Sequence, residues 1–207
     1  MKNFSIVGLC HNNKLEWVLD AILRQRIDGD EIIVVNDHSD KEYIDKLQPY
    51  LRLDDIKLID SDLVGNRSRN RNIGAKNAKN PLLLFVDGDI VLMDNCMNLI
   101  RMTLESGYAG AFGNIIQGGN TPMQMNLLAG FDYLKFLEQN PPIEEFYKKD
   151  LAYDKRAGLI QQNILSKSEW QYYYSGYCAA AKTSFFDCGM FNESFVGWGA
   201  EDVEFGY

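Results

Sequence analysis

The sequence contains few cysteines and histidines, no long apolar run and no excess of positive charge. Its four cysteines form no Cys-x-x-Cys pair, so we expect reduced, mostly structural thiols and a cytoplasmic protein. The two histidines, His11 and His38, have no His or Cys partner at metal-ligand spacing. No apolar run is long enough to span a bilayer, and the first residues lack the features of a signal peptide.

The charge balance disfavours one class of partner. The 207 residues include 29 acidic and 21 basic side chains, which gives a net charge of −8. Non-specific nucleic-acid binding usually needs a basic face, so we expect no nucleic-acid partner. A negative protein that binds a negative nucleotide must concentrate its cations locally or recruit a metal.

Hydrophobic patterning predicts strands that alternate with helices. Strands are predicted at residues 4–9, 31–35, 56–59 and 82–86. Helices are predicted from a cap at Asn13, around residues 43–47 and at about 66–79. This alternation is typical of a doubly wound α/β fold with a mostly parallel sheet. Ligands bind at the carboxyl ends of such strands, which here carry the polar residues 10–12, 36–40 and 87–89.

The pattern changes after residue 89. It predicts a helix at 94–104 capped by Asp94, a strand at 108–112, a helix at 121–137 and a strand at 177–181. There is no repeat or low-complexity tract. We therefore expect one domain over 1–207, with a nucleotide-binding half (1–90) and an acceptor-side half (91–207).

Asp87 and Asp89 follow the most apolar predicted strand. At a period of two their side chains point the same way, and their mutual repulsion raises one pKa. A divalent cation relieves that repulsion, and oxygen ligands favour Mg²⁺ or Mn²⁺. Gly88 leaves room for a diphosphate. The alternative is a polar strand end with solvated aspartates.

Two further segments carry candidate ligand-binding residues. Asp37 can accept a hydrogen bond from a base or a ribose, or it is a turn residue. Arg67 and Arg71 share one helix face and can stack on a base or fork onto phosphate, whereas Arg69 is expected to be solvated.

A third candidate segment comprises residues 197–202. Trp198 can pack on a sugar, and Asp202 or Glu201 can take a proton from a hydroxyl. The alternative for these acids is a helix N-terminus.

Together, these segments resemble the family 2 glycosyltransferases of the GT-A fold. Residues 32–40 resemble the family's strand and Asp-Asp-Gly-Ser loop, with Asn36 and His38 as departures. Residues 71–74 resemble Arg-Asn-x-Gly, and 85–89 resemble the strand and Asp-x-Asp. Residues 191–207 resemble an acceptor-side signature shared with galactosyltransferases and chondroitin-type polymerases.

The resemblance implies a role for each candidate residue. Asp89 ligates Mn²⁺ or Mg²⁺ together with Asp87, Asp202 is the general base, and Glu201 and Trp198 orient the acceptor. The donor nucleotide is bound by residues of several segments: Gly8, His11, Asn12, Asp37, Arg67, Arg71, Asp87 and Gly88.

The implied reaction is an inverting transfer of a hexose or N-acetylhexosamine from a UDP-sugar. The acceptor is an oligosaccharide, a polysaccharide or a lipid-linked sugar, and the last implies peripheral association with the inner face of the membrane. Related enzymes continue beyond the position of Tyr207, so we expect a C-terminally truncated chain whose third metal ligand lies further on.

Two alternatives stay open at the level of sequence. One is a sugar-nucleotide-binding pseudoenzyme. The other is a phosphohydrolase of the haloacid-dehalogenase type, in which Asp-x-Asp follows a strand but is usually followed by Thr, where this chain has Ile90. The sequence sets neither the sugar, the acceptor nor the oligomeric state.

Overall fold

A six-stranded sheet forms the centre of the larger of two compact units. The computed structural model describes residues 1–12, 15–90, 92–112, 116–117, 152–153, 175–195 and 201–206. The larger unit combines Met1–Gly113 with Glu169–Tyr207, and the smaller unit is Asn114–Ser168. The sequence predicts a helix at 121–137 and a cap at Asn13, and both lie outside the described residues.

The larger unit alternates strands and helices along most of its length. Its strands are β1 (Phe4–Cys10), β2 (Glu31–Asn36), β3 (Ile56–Asp60), β4 (Leu82–Asp87), β5 (Gly110–Phe112) and β8 (Tyr177–Ala181). Its helices are α1 (Leu15–Gln25), α2 (Lys41–Leu51), α3 (Arg67–Lys76), α4 (Cys96–Glu105), α5 (Lys182–Asp187) and α6 (Glu201–Gly206). In the smaller unit, β6 (Ile116–Gln117) pairs antiparallel with β7 (Ala152–Tyr153).

The strand order of the sheet is β3-β2-β1-β4-β8-β5. The first four strands are parallel, whereas β8 runs antiparallel to both β4 and β5. All six residues of β2 and the first five of β4 are buried, as expected for central strands covered on both faces. The predicted mostly parallel α/β sheet is confirmed.

Two predicted helix ends are wrong by a few residues. The helix predicted to reach residue 79 ends at Lys76, because the Ala78 N–H donates to the Ala75 carbonyl at 3.2 Å and the Lys79 N–H donates to Glu31 Oε1 at 2.6 Å, outside the helix. The helix predicted to be capped by Asp94 instead has Asn95 at its N-cap, with a φ of 67°. Asparagine tolerates this left-handed conformation better than most residues.

An aromatic cluster fixes the C-terminal elements against the sheet. The ring of Phe85 on β4 lies 5.2 Å from that of Phe185 and 5.5 Å from that of Phe191. Phe205 of α6 packs on Phe191 with ring centroids 4.4 Å apart. Because aromatic rings bury large apolar areas, this cluster holds the start of α6 close to the end of β4. Among the described residues, no helix is long and apolar enough to cross a membrane.

Candidate active site

The carboxyl ends of β1, β2 and β4 lie side by side at one edge of the sheet. In the strand register, Cys10 is opposite Asn36 and Leu9 is opposite Asp87. The three polar segments predicted from the sequence therefore meet at this edge. Gly8 is different, because it lies inside β1, where a Cβ would be 3.4 Å from Leu15 Cδ1.

The loops after β1 and β2 are joined by hydrogen bonds. His11 Nδ1 lies 2.6 Å from the Asp37 carbonyl oxygen. Asn12 and Asp40 bond reciprocally: the Asn12 amide donates to Asp40 Oδ2 at 3.1 Å, and the Asp40 N–H donates to Asn12 Oδ1 at 2.9 Å. The φ angles of Asn12 and His38 are positive, 47° and 55°. The structure thus brings His11 and Asn12 beside Asp37, and these hydrogen bonds hold the two loops together.

Asp37 presents an almost covered carboxylate at the end of β2. Its side chain is 11% exposed, and both of its oxygens lie 3.0 Å from the backbone N–H of Gly65, which they share. Its own N–H donates to the Cys10 carbonyl at 2.8 Å. A carboxylate has about four lone-pair positions, so this one donor orients Asp37 and leaves acceptor capacity for a ligand.

Asp87 is the last residue of β4 and is held from two sides. Its N–H donates to the Gly176 carbonyl at 2.9 Å, and its Oδ1 accepts from Arg71 Nη2 at 2.8 Å. A Cβ at Gly176 would lie 3.1 Å from Asp87 Oδ2. Glycine at this position therefore leaves space for the second carboxylate oxygen, a contribution that the sequence does not reveal.

Asp89 lies two residues beyond Asp87, and buried Gly88 separates them. Part of the Asp89 residue is exposed, but its carboxyl group is surrounded by protein and is therefore partly desolvated. This desolvation raises the pKa of Asp89, the negative charge of Asp87 raises it further, and Arg67 partly offsets both. The carboxylate repulsion predicted from the sequence is therefore present.

Arg71 is fully buried, and its charge lies close to Asp87 at the end of β4 and to Asp202 of α6. Its side chain is 2% exposed, and its guanidinium lies 5.6 Å from the centre of the Phe191 ring. Burial opposes this charge, but the negative charges of Asp87 and Asp202 outweigh it and raise the pKa of Arg71. Arg71 Nε and Nη1 have no hydrogen-bond partner among the described residues.

Arg101, which is also fully buried among the described residues, shows what a purely structural site provides. Its Nη1 and Nη2 donate to the two oxygens of Asp30 at 3.2 and 2.8 Å, and Nη1 also donates to the Lys2 carbonyl. Arg71 has one such donor engaged, Nη2. Unpaired buried donors are costly, so the surroundings of Arg71 fit a site that a ligand completes better than a finished structural bridge.

The rest of the Arg-Asn-x-Gly segment fixes α3 in place. The side chain of Asn72 exchanges two hydrogen bonds with the backbone of Phe191, at 2.8 and 3.1 Å. A Cβ at Gly74 would lie 2.2 Å from Val7 Cγ1, so only glycine allows this approach of α3 to β1. The motif therefore sets the position from which Arg71 reaches Asp87.

Asp202 and Glu201 begin α6, so the helix N-terminus given as the alternative for these acids is present. The hydroxyl of Ser175, directly before the turn into β8, donates to Asp202 Oδ1. Glu201 is 4% exposed, and its Oε2 has no partner among the residues that the structure describes. Trp198, the predicted acceptor platform, lies outside the described residues.

Arg69 stays open to water, as expected, with a side chain that is 32% exposed. It is also paired with two acids: its guanidinium donates to Asp62 through Nε at 2.7 Å and to Glu193 through Nη1 at 2.8 Å. The second pair forms because the chain near residue 193 folds back onto α3. Arg67 stays at the site, close enough to Asp89 to affect its pKa.

The carboxylates could hold a metal only with help from a ligand. In the described part of the chain, no group of three or more His, Cys, Asp and Glu residues converges as a metal site would. Asp87 and Asp89 supply oxygen donors of the type that Mg²⁺ and Mn²⁺ prefer. Desolvation and, after it, the charge of Asp87 raise the pKa of Asp89, and a bound cation would offset both. The residues therefore fit a divalent cation that also takes ligands from a diphosphate and water.

Comparison with known sequences decides the family. The profile of glycosyl transferase family 2 matches residues 5–171. The chain belongs to glycosyl transferase family 2. The family 2 match includes the segments that carry Asp37, Arg71, Asp87 and Asp89.

Known proteins and solved structures similar to this family 2 chain include the following two. It is 25% identical to the chondroitin synthase of Escherichia coli over 215 residues, which cover 93% of this chain and 30% of that protein. The structure of GalNAc-T7 with UDP, GalNAc and Mn²⁺ superposes with a TM-score of 0.64 at 16% identity, covering 100% of this chain and 40% of that one.

A second superposition supports the same fold. The mannosyltransferase PcManGT of Pyrobaculum calidifontis, with GDP-Man and Mn²⁺, gives a TM-score of 0.63 at 14% identity over 97% of this chain and 49% of that one. The GT-A fold is thereby shown. The family 2 chain spans half or less of the length of these relatives.

Proposed function

We propose that this chain is a metal-dependent, inverting glycosyltransferase that moves a hexose or N-acetylhexosamine from a UDP-sugar to a saccharide acceptor. One observation carries the proposal: buried Arg71 is hydrogen-bonded to Asp87 and is close enough to Asp202 for that charge to raise its pKa. The Asp87–Asp89 pair would hold the metal that binds the donor diphosphate, and Asp202 would take the proton of the acceptor. Family membership supports transfer over haloacid-dehalogenase-type hydrolysis.

The donor side of the proposed site combines a base-binding acid with a metal-binding pair. Asp37 would accept an N–H of the uracil through the lone pairs that Gly65 leaves free. His11, Asn12 and Arg67 lie close to these acids and would border the nucleotide. Asp87 and Asp89 would hold Mn²⁺ or Mg²⁺. When bound, this ion stabilises the negative charge that develops on the departing diphosphate.

Asp202 would act as the general base on the acceptor hydroxyl. The Ser175 hydroxyl bonds to Oδ1, so the carboxylate is oriented while Oδ2 remains to accept a proton. In a single displacement, the acceptor oxygen forms its bond to the anomeric carbon as the bond to the diphosphate breaks, and the hydroxyl proton goes to Asp202. Attack opposite the leaving group inverts the anomeric centre. Buried Glu201 would orient the acceptor, together with Trp198.

The acceptor is proposed to be a growing oligosaccharide, a polysaccharide or a lipid-linked sugar. Reduced, unpaired cysteines suit action in the cytoplasm, and a lipid-linked acceptor would bring the enzyme to the inner face of the membrane. Similarity to chondroitin synthase supports a saccharide acceptor. One of the similar structures contains UDP and the other contains GDP-Man, so the choice between uracil and guanine as the donor base needs a direct test.

Transfer from a panel of UDP-sugars and GDP-sugars to oligosaccharides, with Mn²⁺, tests this function. We expect release of UDP coupled to sugar transfer, and a fall of about 100-fold or more in Asp202→Asn if Asp202 is the base. Asp54→Asn is the matched control and should leave the rate unchanged. Asp54 is an exposed acid just before β3, at the end of the strands opposite the site.

Two outcomes would contradict the proposal. Undiminished transfer by Asp202→Asn would remove Asp202 from the chemistry. Tight UDP binding without transfer to any acceptor would favour the sugar-nucleotide-binding pseudoenzyme instead.

A further inference from the structure

The loop between β3 and α3 presents two apolar side chains to solvent beside the acids of the site. Leu63 is 49% exposed and Val64 is 64% exposed. Isolated apolar residues on a surface are common. These two are adjacent in sequence, and Val64 directly precedes Gly65, whose N–H is bonded to Asp37.

The loop is anchored at its start, middle and end. The Ser61 N–H donates to the Asn36 carbonyl at 2.8 Å, and the Ser61 hydroxyl donates to Asn70 Oδ1 of α3 and accepts from the Leu63 N–H at 3.4 Å. Gly65 bonds to Asp37 from a φ of 72°, where glycine is favoured. At the end, the Asn66 side chain caps α3 by accepting from the Arg69 N–H at 2.8 Å. The two apolar side chains are thus displayed from a fixed backbone.

This arrangement suits the flat face of a nucleobase. A base that donates an N–H to Asp37 would lie close to this loop, because the N–H of Gly65, next to Val64, reaches the same carboxylate. A preorganised apolar surface binds a ring without first paying the entropy of ordering a loop. Packing against the ring would also shield the exposed side chains of Leu63 and Val64 from water.

We propose that Leu63 and Val64 form an apolar wall that covers the pyrimidine base held by Asp37. This inference rests on the proposed function, because it assigns further residues to the same donor site. The wall contributes affinity for the base and none for the diphosphate, which the Asp87–Asp89 pair binds. Removing one side chain of the wall should therefore affect ligands with a base only.

Calorimetric titration of Val64→Ser and Leu63→Ser with Mn²⁺ and either UDP or inorganic diphosphate tests this division. Each variant should bind UDP about 5-fold more weakly, as expected from losing some 40 Å² of buried apolar contact, and bind diphosphate as the wild type does. Leu53→Ser is the matched control: Leu53 is 38% exposed and lies at the opposite end of β3. It should bind both ligands unchanged.

The outcomes separate this inference from the proposed function. UDP binding by the wild type with the same affinity in both variants would overturn the apolar wall alone. Equal weakening of UDP and diphosphate would also overturn it, because the loop would then act through the whole site. Failure of the wild type to bind UDP would overturn the proposed function itself.

Discussion

Replacing Arg71 by methionine removes the buried charge that links the two sides of the site while keeping an unbranched side chain of similar length. Removing one partner of a buried ion pair costs about 3–5 kcal/mol when the other charge stays buried. Asp87 is 26% exposed, so water can partly replace the lost donor. We therefore expect Arg71→Met to lower the free energy of unfolding by about 2–3 kcal/mol.

Arg69→Met is the matched control on the same helix. Arg69 also bonds two acids, but its side chain is 32% exposed and Asp62 is 62% exposed. Pairs this open to water contribute less than about 1 kcal/mol. The two variants remove the same functional group from positions two residues apart, so their difference isolates the effect of burial.

Urea denaturation and thermal melting measure both variants. At about 2–4 °C per kcal/mol for a chain of this size, Arg71→Met should melt about 5–10 °C below the wild type and Arg69→Met within about 4 °C of it. A double-mutant cycle with Asp87→Asn should give a coupling energy of about 1–3 kcal/mol between Arg71 and Asp87. Equal stability of the two arginine variants, or a coupling energy of zero, would refute this account of Arg71.

Three further substitutions have defined outcomes. Gly74→Ala should destabilise the fold by about 1–3 kcal/mol, because its Cβ would overlap the Val7 side chain; unchanged urea denaturation would contradict the close packing of α3. Glu31→Gln should cost about 1–2 kcal/mol at pH 7. Burial opposes the Glu31 charge, but bonds from Ser5 and the Lys79 N–H outweigh it and lower the pKa below its ordinary 4.5. This stabilisation is complete above pH 4.5 and disappears as the pH falls through the lowered pKa. If plots of unfolding free energy against pH stayed parallel at acid pH for Glu31→Gln and the wild type, this role of Glu31 would be refuted. Asp89→Asn removes a desolvated, repelled carboxylate and should raise the melting temperature of the metal-free protein by less than about 4 °C; a lower melting temperature would show that Asp89 stabilises the apo fold.

The sheet was predictable because its strands are marked by composition. β2 and β4 are apolar on both faces, which suits only central strands. The acids directly after them then had to meet at one edge. Helix ends were less predictable, because partners outside the helix take its last donors, as Glu31 takes the N–H of Lys79.

The site was predictable in residue type and less so in contacts. Arg71 and Arg69 are alike in sequence, yet one is buried against Asp87 and the other is bonded to Asp62 and Glu193. Residues two apart point to opposite sides of a helix, so the pattern separates Arg71 from Arg69. It does not show how deeply Arg71 is buried, because that depends on the close approach of α3 to β1 at Gly74 and Val7.

The contribution of backbone groups was not predictable. Gly65 reaches Asp37 through its N–H, and Gly176 leaves room for a carboxylate oxygen of Asp87. Both depend on the folded path of a loop, and glycine in a sequence does not indicate which neighbour it will meet. A fixed apolar loop beside Asp37 follows only from these contacts.

Melting temperature with UDP, measured in Mn²⁺ and again in EDTA, tests the central claim most directly. A ligand at 100 times its Kd stabilises the native state by about 2.7 kcal/mol, which corresponds to about 5–10 °C here. We predict this rise for UDP with Mn²⁺, little or none in EDTA, and its loss in Asp89→Asn. An equal rise in EDTA, or an undiminished rise in Asp89→Asn, would contradict a metal held by Asp87 and Asp89 as the bridge to the donor diphosphate.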